Sequence, residues 1–156
     1  MESTITQNHR NVAALIHAST FSKYLVPFGN FLLPLVFWMS NKKSSPFVEY
    51  HGKQAINFQV SILLYNIALG ITAIPLALFT AWDFASFNFI GGMDTINIQT
   101  GLDSIFNHGE HFLLWGVYGI LYLSLFLLNV ICTIIAAMKA HEGLAYRYPM
   151  TVNFIH

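Results

Sequence analysis

Charge is what this sequence has least of. Asp, Glu, Lys and Arg make up 9% of its 156 residues, against about 25% in an average soluble domain. Seven basic and seven acidic groups are too few to cover a water-soluble globule of this size, so a soluble enzyme is the first class excluded. A formal net charge of zero excludes nucleic acid as a partner, because there is no basic face to displace phosphate counterions. The lone cysteine, Cys132, lies in an apolar run; it can form no internal disulfide and says nothing of redox compartment. No cleavable signal peptide is visible, since residues 1–11 are polar and no small-residue cleavage site follows an early apolar core. Spacing offers no Gly-rich phosphate loop and no Ser–His–acid or Cys–His arrangement, so no catalytic residue, cofactor or metal is expected.

What is present is hydrophobic length in one domain, 1–156. His111 to Met138 contains no Lys, Arg, Asp or Glu, and neither does Ala55 to Trp82; about 20 such residues suffice to cross a bilayer. Pro75 falls inside the second run, where it should kink a membrane helix rather than end it. The first apolar region, Val12 to Met39, is broken by Pro27-Phe28-Gly29-Asn30 and contains Lys23. It reads as a short helix over about 11–25 followed by a kinked spanning segment over 24–40, with a re-entrant hairpin as the rival. Ser45-Pro46 is an N-cap and first-turn pair that starts the next helix, over 46–82, before it reaches the membrane near Ala55. The last helix is expected over about 111–140, stopped by Gly143. The fold class is therefore all-α: an integral membrane helical bundle of about three spanning segments plus a short N-terminal helix.

Lysine placement orients the bundle. Lys42, Lys43 and Lys53 flank the first connection, and Lys139 and Arg147 flank the end of the last helix. The connection 83–110 carries Asp83, Asp94, Asp103 and Glu110 with no Lys or Arg. The positive-inside rule puts the first connection and the C-terminus in the cytoplasm and 83–110 outside, with the N-terminus outside for a single span and inside for a hairpin. Phe84, Phe87, Phe89 and Phe106 suggest that the outer connection rests on the interface, and Gly91-Gly92 marks a turn. Trp38, Trp82 and Trp115 fit the membrane edges, and Lys23 fits a snorkelling side chain. His108-Gly-Glu-His111 lacks the i, i+4 ligand spacing of a zinc helix and reads as a loop-to-helix junction.

Two polar stripes are the candidate site. Tyr50, Gln54, Asn57, Ser61 and Tyr65 share one face of the middle helix, and Gln59 and Asn66 another. The last helix carries His111, Tyr118, Tyr122, Asn129 and Thr133. Buried amides in lipid need partners, so the stripes should face each other or a partner protein. They form either a polar path or groove, or the glue of the bundle at about 0.6 kcal/mol per interhelical bond. Lys53 and Arg147 are candidate cytoplasmic contacts.

These motifs also carry a resemblance. Pro27-Phe-Gly-Asn30, Leu33-Pro-Leu35, Ser45-Pro-Phe-Val-Glu49, His51-Gly-Lys-Gln-Ala-Ile-Asn-Phe-Gln59, Ile134-Ile-Ala-Ala-Met-Lys-Ala140, Gly143, Tyr146-Arg-Tyr-Pro-Met-Thr151 and Phe154-Ile155 resemble a widespread bacterial family of small multi-pass membrane proteins of unknown function. That family is distantly similar to the Tic-twenty-like channel subunit of the plastid protein-import machinery. The resemblance implies a bacterial cytoplasmic (inner) membrane protein with a cytoplasmic C-terminus. It hints at translocation or insertion through the distant relative alone. Connection 83–110 is longer than the family's usual short turn. The expected function is a non-enzymatic subunit or accessory factor of a membrane protein assembly, whose partners are the bilayer and other membrane subunits or further copies of itself. An oligomeric channel or transporter for a small solute is the alternative; a membrane enzyme, which could draw only on His108, Glu110 and His111, is the weakest reading.

Overall fold

The computed structural model describes residues 5–91 and 109–155. Every element among them is helical: α1 (Gln7–Ala18), a 3-10 helix (Ser19–Tyr24), α2 (Gly29–Asn41), α3 (Pro46–Gly91) and α4 (Gly109–Glu142). The all-α expectation holds. The chain divides into two compact units, Met1–Leu64 with Phe126–His156, and Tyr65–Leu125.

The first unit starts with α1, four residues earlier than the sequence suggests. Thr6 caps it: its Oγ1 accepts from the His9 backbone N–H at 3.3 Å, and His9 Nδ1 accepts from the Thr6 N–H at 3.4 Å. This reciprocal pair is a capping box with His in place of the usual Glu or Gln. The helix then tightens because three hydroxyls bond backbone carbonyls in succession. Ser19 Oγ donates to Ile16 O at 2.8 Å, Thr20 Oγ1 to His17 O at 2.8 Å and Ser22 Oγ to Ser19 O at 2.6 Å. The chain reverses through Phe28 in the left-handed region (φ 58°). Gly29 follows because a Cβ there would lie 2.6 Å from Ser22 O.

The region expected as a kinked span over 24–40 holds the end of the 3-10 helix, the turn at Phe28 and α2, which packs back against α1. With 13 residues, α2 is about 20 Å long, short of a hydrocarbon core of about 30 Å. Ile16, Trp38, Val48, Ala55 and Ile56 form the unit's hydrophobic core, joined by Val12, Leu35, Phe37, Val60 and Ile155. Gly52 lets this core close, since a Cβ there would overlap the Trp38 indole. Ser45 Oγ accepts from the Phe47 N–H at 3.2 Å where α3 begins. Gly143 (φ 81°) closes α4 with the bonds Leu144 N–H to Lys139 O (2.9 Å) and Gly143 N–H to Ala140 O (3.0 Å), a Schellman ending.

The second unit contains the outer parts of α3 and α4, whose apolar side chains face outward. Ile71, Ile74, Leu78, Phe79, Phe112, Leu113 and Ile120 are all more than half exposed. Two helices among the described residues, Pro46–Trp82 and His111–Glu142, are long and apolar enough to cross a membrane, and only 6% and 22% of their most apolar windows are buried. Neither is the buried core helix of a soluble protein, and neither is N-terminal. Their outward faces require lipid or protein cover. α3 runs through Pro75 and past Trp82 to Gly91, so the connection expected from residue 83 starts later. No breaker stands between Trp82 and Gly91, and one Asp does not stop a helix. The remainder of that expected connection, with Phe106 and His108, lies outside the described residues.

Candidate functional site

The polar residues of the first unit converge on two arrangements. One is a clamp on the chain's own C-terminal segment. Asn57, buried on α3, accepts through Oδ1 from the N–H groups of Phe154 (3.2 Å) and Ile155 (2.9 Å) and donates through Nδ2 to Ile155 O (3.0 Å). One turn on, Ser61 Oγ accepts from the Val152 N–H at 2.9 Å and donates to Asn57 O at 2.8 Å. The amide behaves as a strand edge would, offering a donor and an acceptor to an extended segment. Two members of the predicted α3 stripe therefore bond residues more than ninety positions away in the same chain.

The second arrangement is a continuous neutral chain of side chains. Asn30 Nδ2 on α2 donates to Gln59 Oε1 on α3 (3.1 Å), and Gln59 Nε2 donates to Asn129 Oδ1 on α4 (3.4 Å). Thr133 Oγ1 lies 3.5 Å from the same Asn129 oxygen and also hydrogen-bonds Tyr148. Tyr148 Oη is 2.9 Å from His17 Nδ1, and His17 Nε2 is 2.8 Å from His51 Nδ1. One set of proton positions fits throughout. Thr133 donates its single hydroxyl hydrogen to Asn129 Oδ1, so Tyr148 donates to Thr133, His17 Nδ1–H donates to Tyr148 Oη and His51 Nδ1–H donates to His17 Nε2. His51 Nε2 is buried without a hydrogen-bond partner.

Burial sets the electrostatics. His17 is fully buried, and desolvation, with the neighbouring His51 adding to it, lowers its pKa to about 3. It is neutral at physiological pH. Burial also raises Tyr148, whose ring stacks on Phe58 with centroids 4.0 Å apart. Tyr146, beside Cys132, is pushed up to about 12, chiefly by burial. Both histidines of the chain of side chains are neutral at physiological pH, His51 being lowered to about 4, chiefly by burial. Among the described residues no three His, Cys, Asp or Glu side chains gather to hold a metal ion.

The other predicted residues are placed as follows. Gln59 and Asn129 bring the α3 and α4 stripes together. Tyr50 is half-buried with its ring edge-on to His51 (5.5 Å), and Gln54 Oε1 is buried without a hydrogen-bond partner. Tyr118 tilts against Trp115 in the second unit (6.0 Å), and Tyr122 faces outward at 63% exposure; these two do not join the network. Lys53 pairs with Glu49 at 2.7 Å, and Arg147 is exposed.

His17 and Tyr148 are absent from the predicted stripes. His17 was detectable, because Ala13, Ile16, His17 and Thr20 have the spacing of one helical face and all are buried. Tyr148, 131 residues away in sequence, had no local signal.

A family model described as the magnetosome magnetite crystal formation protein family matches residues 8–155. No curated protein and no solved structure matches the chain. The family match agrees with the expectation of small bacterial membrane proteins and shows no similarity to the plastid import channel. The matched segment runs from the second residue of α1 through the last residue held by Asn57, and the chain belongs to the magnetosome magnetite crystal formation protein family.

Proposed function

We propose that this chain is a non-enzymatic, multi-pass component of a bacterial membrane that serves magnetite crystal formation as a subunit of a membrane protein assembly. The observation that carries this reading is the outward apolar face of α3 and α4, in a chain whose family is described by crystal formation. A face of that size takes lipid on one side and leaves room for neighbouring subunits or further copies on the other. The buried amides are engaged with one another and with the C-terminal segment, which argues against a polar conduit through one copy. Translocation has no comparable observation in its favour.

All seven Lys and Arg residues fall within Met1–Leu64 and Phe126–His156, and Tyr65–Leu125 has none. Under the positive-inside rule this distribution supports a cytoplasmic position for the first connection and the C-terminal segment.

The test is deletion and tagging in a magnetite-forming bacterium that carries the chain. A tagged copy should sediment with the mineral-bearing membranes and cross-link there to other membrane subunits, and deletion should change crystal size or number. Recovery in the soluble fraction, or unaltered crystals after deletion, would overturn the proposal.

A further inference from the structure

The tip of the N-terminal hairpin exposes a cluster of apolar residues. Leu25 is 86% and Phe28 72% exposed, with Tyr24 and Val26 beside them. The outward face of α2 continues the patch through Leu32, Val36 and Met39, spaced as one helical stripe. The open end of the hairpin is the reverse: Thr6, Gln7, Asn8, Ser40, Lys42 and Lys43 are exposed there. Polarity thus falls from the open end to the tip.

Two contacts set the depth of that tip against α3. Trp38 packs on Gly52, and Asn30 bonds Gln59. Eight residues back along α2 answer seven forward along α3, so the two helices run antiparallel and the tip lies further along α3 than Gln59. The uncharged run of α3 begins at Ala55, which puts Gln59 about 6 Å into it and the tip roughly 10 Å in, well short of a core of about 30 Å.

Most of the backbone N–H groups at the tip are also served internally. Leu25 and Val26 N–H both donate to Ser22 O at 2.9 Å, Gly29 N–H donates to Val26 O at 3.0 Å, and Pro27 has no N–H to satisfy, which leaves Phe28 N–H as the one at the turn without a backbone acceptor. A turn in water has no need of this; a turn in hydrocarbon does.

We infer that the α1–α2 hairpin is a re-entrant element whose tip, Tyr24–Phe28, sits among the acyl chains of one leaflet and returns to the face it came from. Lipid hydrocarbon is the occupant of the apolar patch. The Lys23 ammonium, 5.1 Å from the Tyr24 ring centroid, has a stem long enough to reach back toward the headgroups. The inference rests on the membrane reading of α3 and α4.

The experiment uses the full chain with Cys132→Ser, reconstituted in phosphatidylcholine–phosphatidylglycerol vesicles. Leu25→Cys, Lys43→Cys and Ile74→Cys are each labelled with an environment-sensitive fluorophore, all three being exposed positions. Lipids with a nitroxide on the acyl chain should quench Leu25→Cys and Ile74→Cys but not Lys43→Cys. Leu25→Cys should respond more to a nitroxide near the headgroup than to one at mid-chain. An impermeant thiol reagent should label unmodified Lys43→Cys from one side and Leu25→Cys from neither. Quenching at Ile74→Cys without quenching at Leu25→Cys would overturn the hairpin alone, and labelling of Leu25→Cys from the side opposite Lys43→Cys would show a full crossing instead. Absence of quenching at both Leu25→Cys and Ile74→Cys would bring down the membrane reading and the hairpin together.

Discussion

Replacing Asn57 by leucine should release the C-terminal segment from α3. The side chain makes three hydrogen bonds to that segment, to Phe154 N, Ile155 N and Ile155 O, and Leu makes none. At about 1 kcal/mol net each, the loss is about 3 kcal/mol, roughly a hundredfold in the equilibrium between held and released segment. If the segment stayed in place, two N–H groups and a carbonyl would be left without partners at about 1–3 kcal/mol each. Release is therefore the cheaper outcome, and it also returns about 1–2 kcal/mol of backbone entropy per freed residue.

The assay is the electron paramagnetic resonance line shape of a nitroxide on Asn153→Cys, an exposed position, in the Cys132→Ser chain. The label should be restricted beside Asn57 and mobile beside Asn57→Leu. Asn57→Asp retains both acceptor bonds and loses the donor to Ile155 O, so it should fall between them. A restricted spectrum in Asn57→Leu, with helicity intact, would refute the view that the amide holds the segment.

Three further outcomes follow from the same contacts. Gly52→Ala should lower stability in detergent by about 1–3 kcal/mol, because the added methyl overlaps the Trp38 indole; thermal melts read the loss, and Gly52→Ala combined with Trp38→Leu should regain part of it. Gln59→Leu strands Asn30 Nδ2 at about 1–3 kcal/mol, while Asn129 Oδ1 keeps its bond from Thr133; adding Asn30→Leu should recover stability, since it removes the group left unpaired. Acid should weaken the first unit: His17 is neutral in the fold with a pKa lowered to about 3, while an unfolded His binds its proton near 6.5. Its contribution is then complete above about pH 6.5 and lost progressively as pH falls toward 3, about 2 kcal/mol by pH 5. Melting temperature against pH should show this slope, flattened in His17→Leu; an unchanged slope in that variant would assign the acid sensitivity elsewhere.

Much of the architecture was legible because it rests on local chemistry. The uncharged runs marked α3 and α4, Ser45-Pro46 marked the start of one, Gly143 the end of the other, and Pro27–Asn30 the break ahead of α2. The missed boundaries have equally local causes. His9 serves the capping box where Glu or Gln is the usual signature, so the start of α1 was hidden. Asp83 looked like the end of a membrane helix, yet charge does not break backbone hydrogen bonds and the helix continues to Gly91. The site was legible in part. Periodicity placed Asn57 and Ser61 on one face and found Gln59 and Asn129, but it contains no information on what fills that face. The partners of Asn57 and His17 lie 98 and 131 residues away, in a segment with no periodicity of its own. Tyr118 and Tyr122 show the converse, since residues on a shared helical face need not share a neighbour.

Asn57 and Ser61 grip only amide and carbonyl groups of the segment, while the side chains of Val152 and Phe154 stay about half exposed. Such a grip is indifferent to spelling but not to grammar. Almost any amino acid could stand at 152 or 154, and proline, with no hydrogen on its nitrogen, could stand at neither.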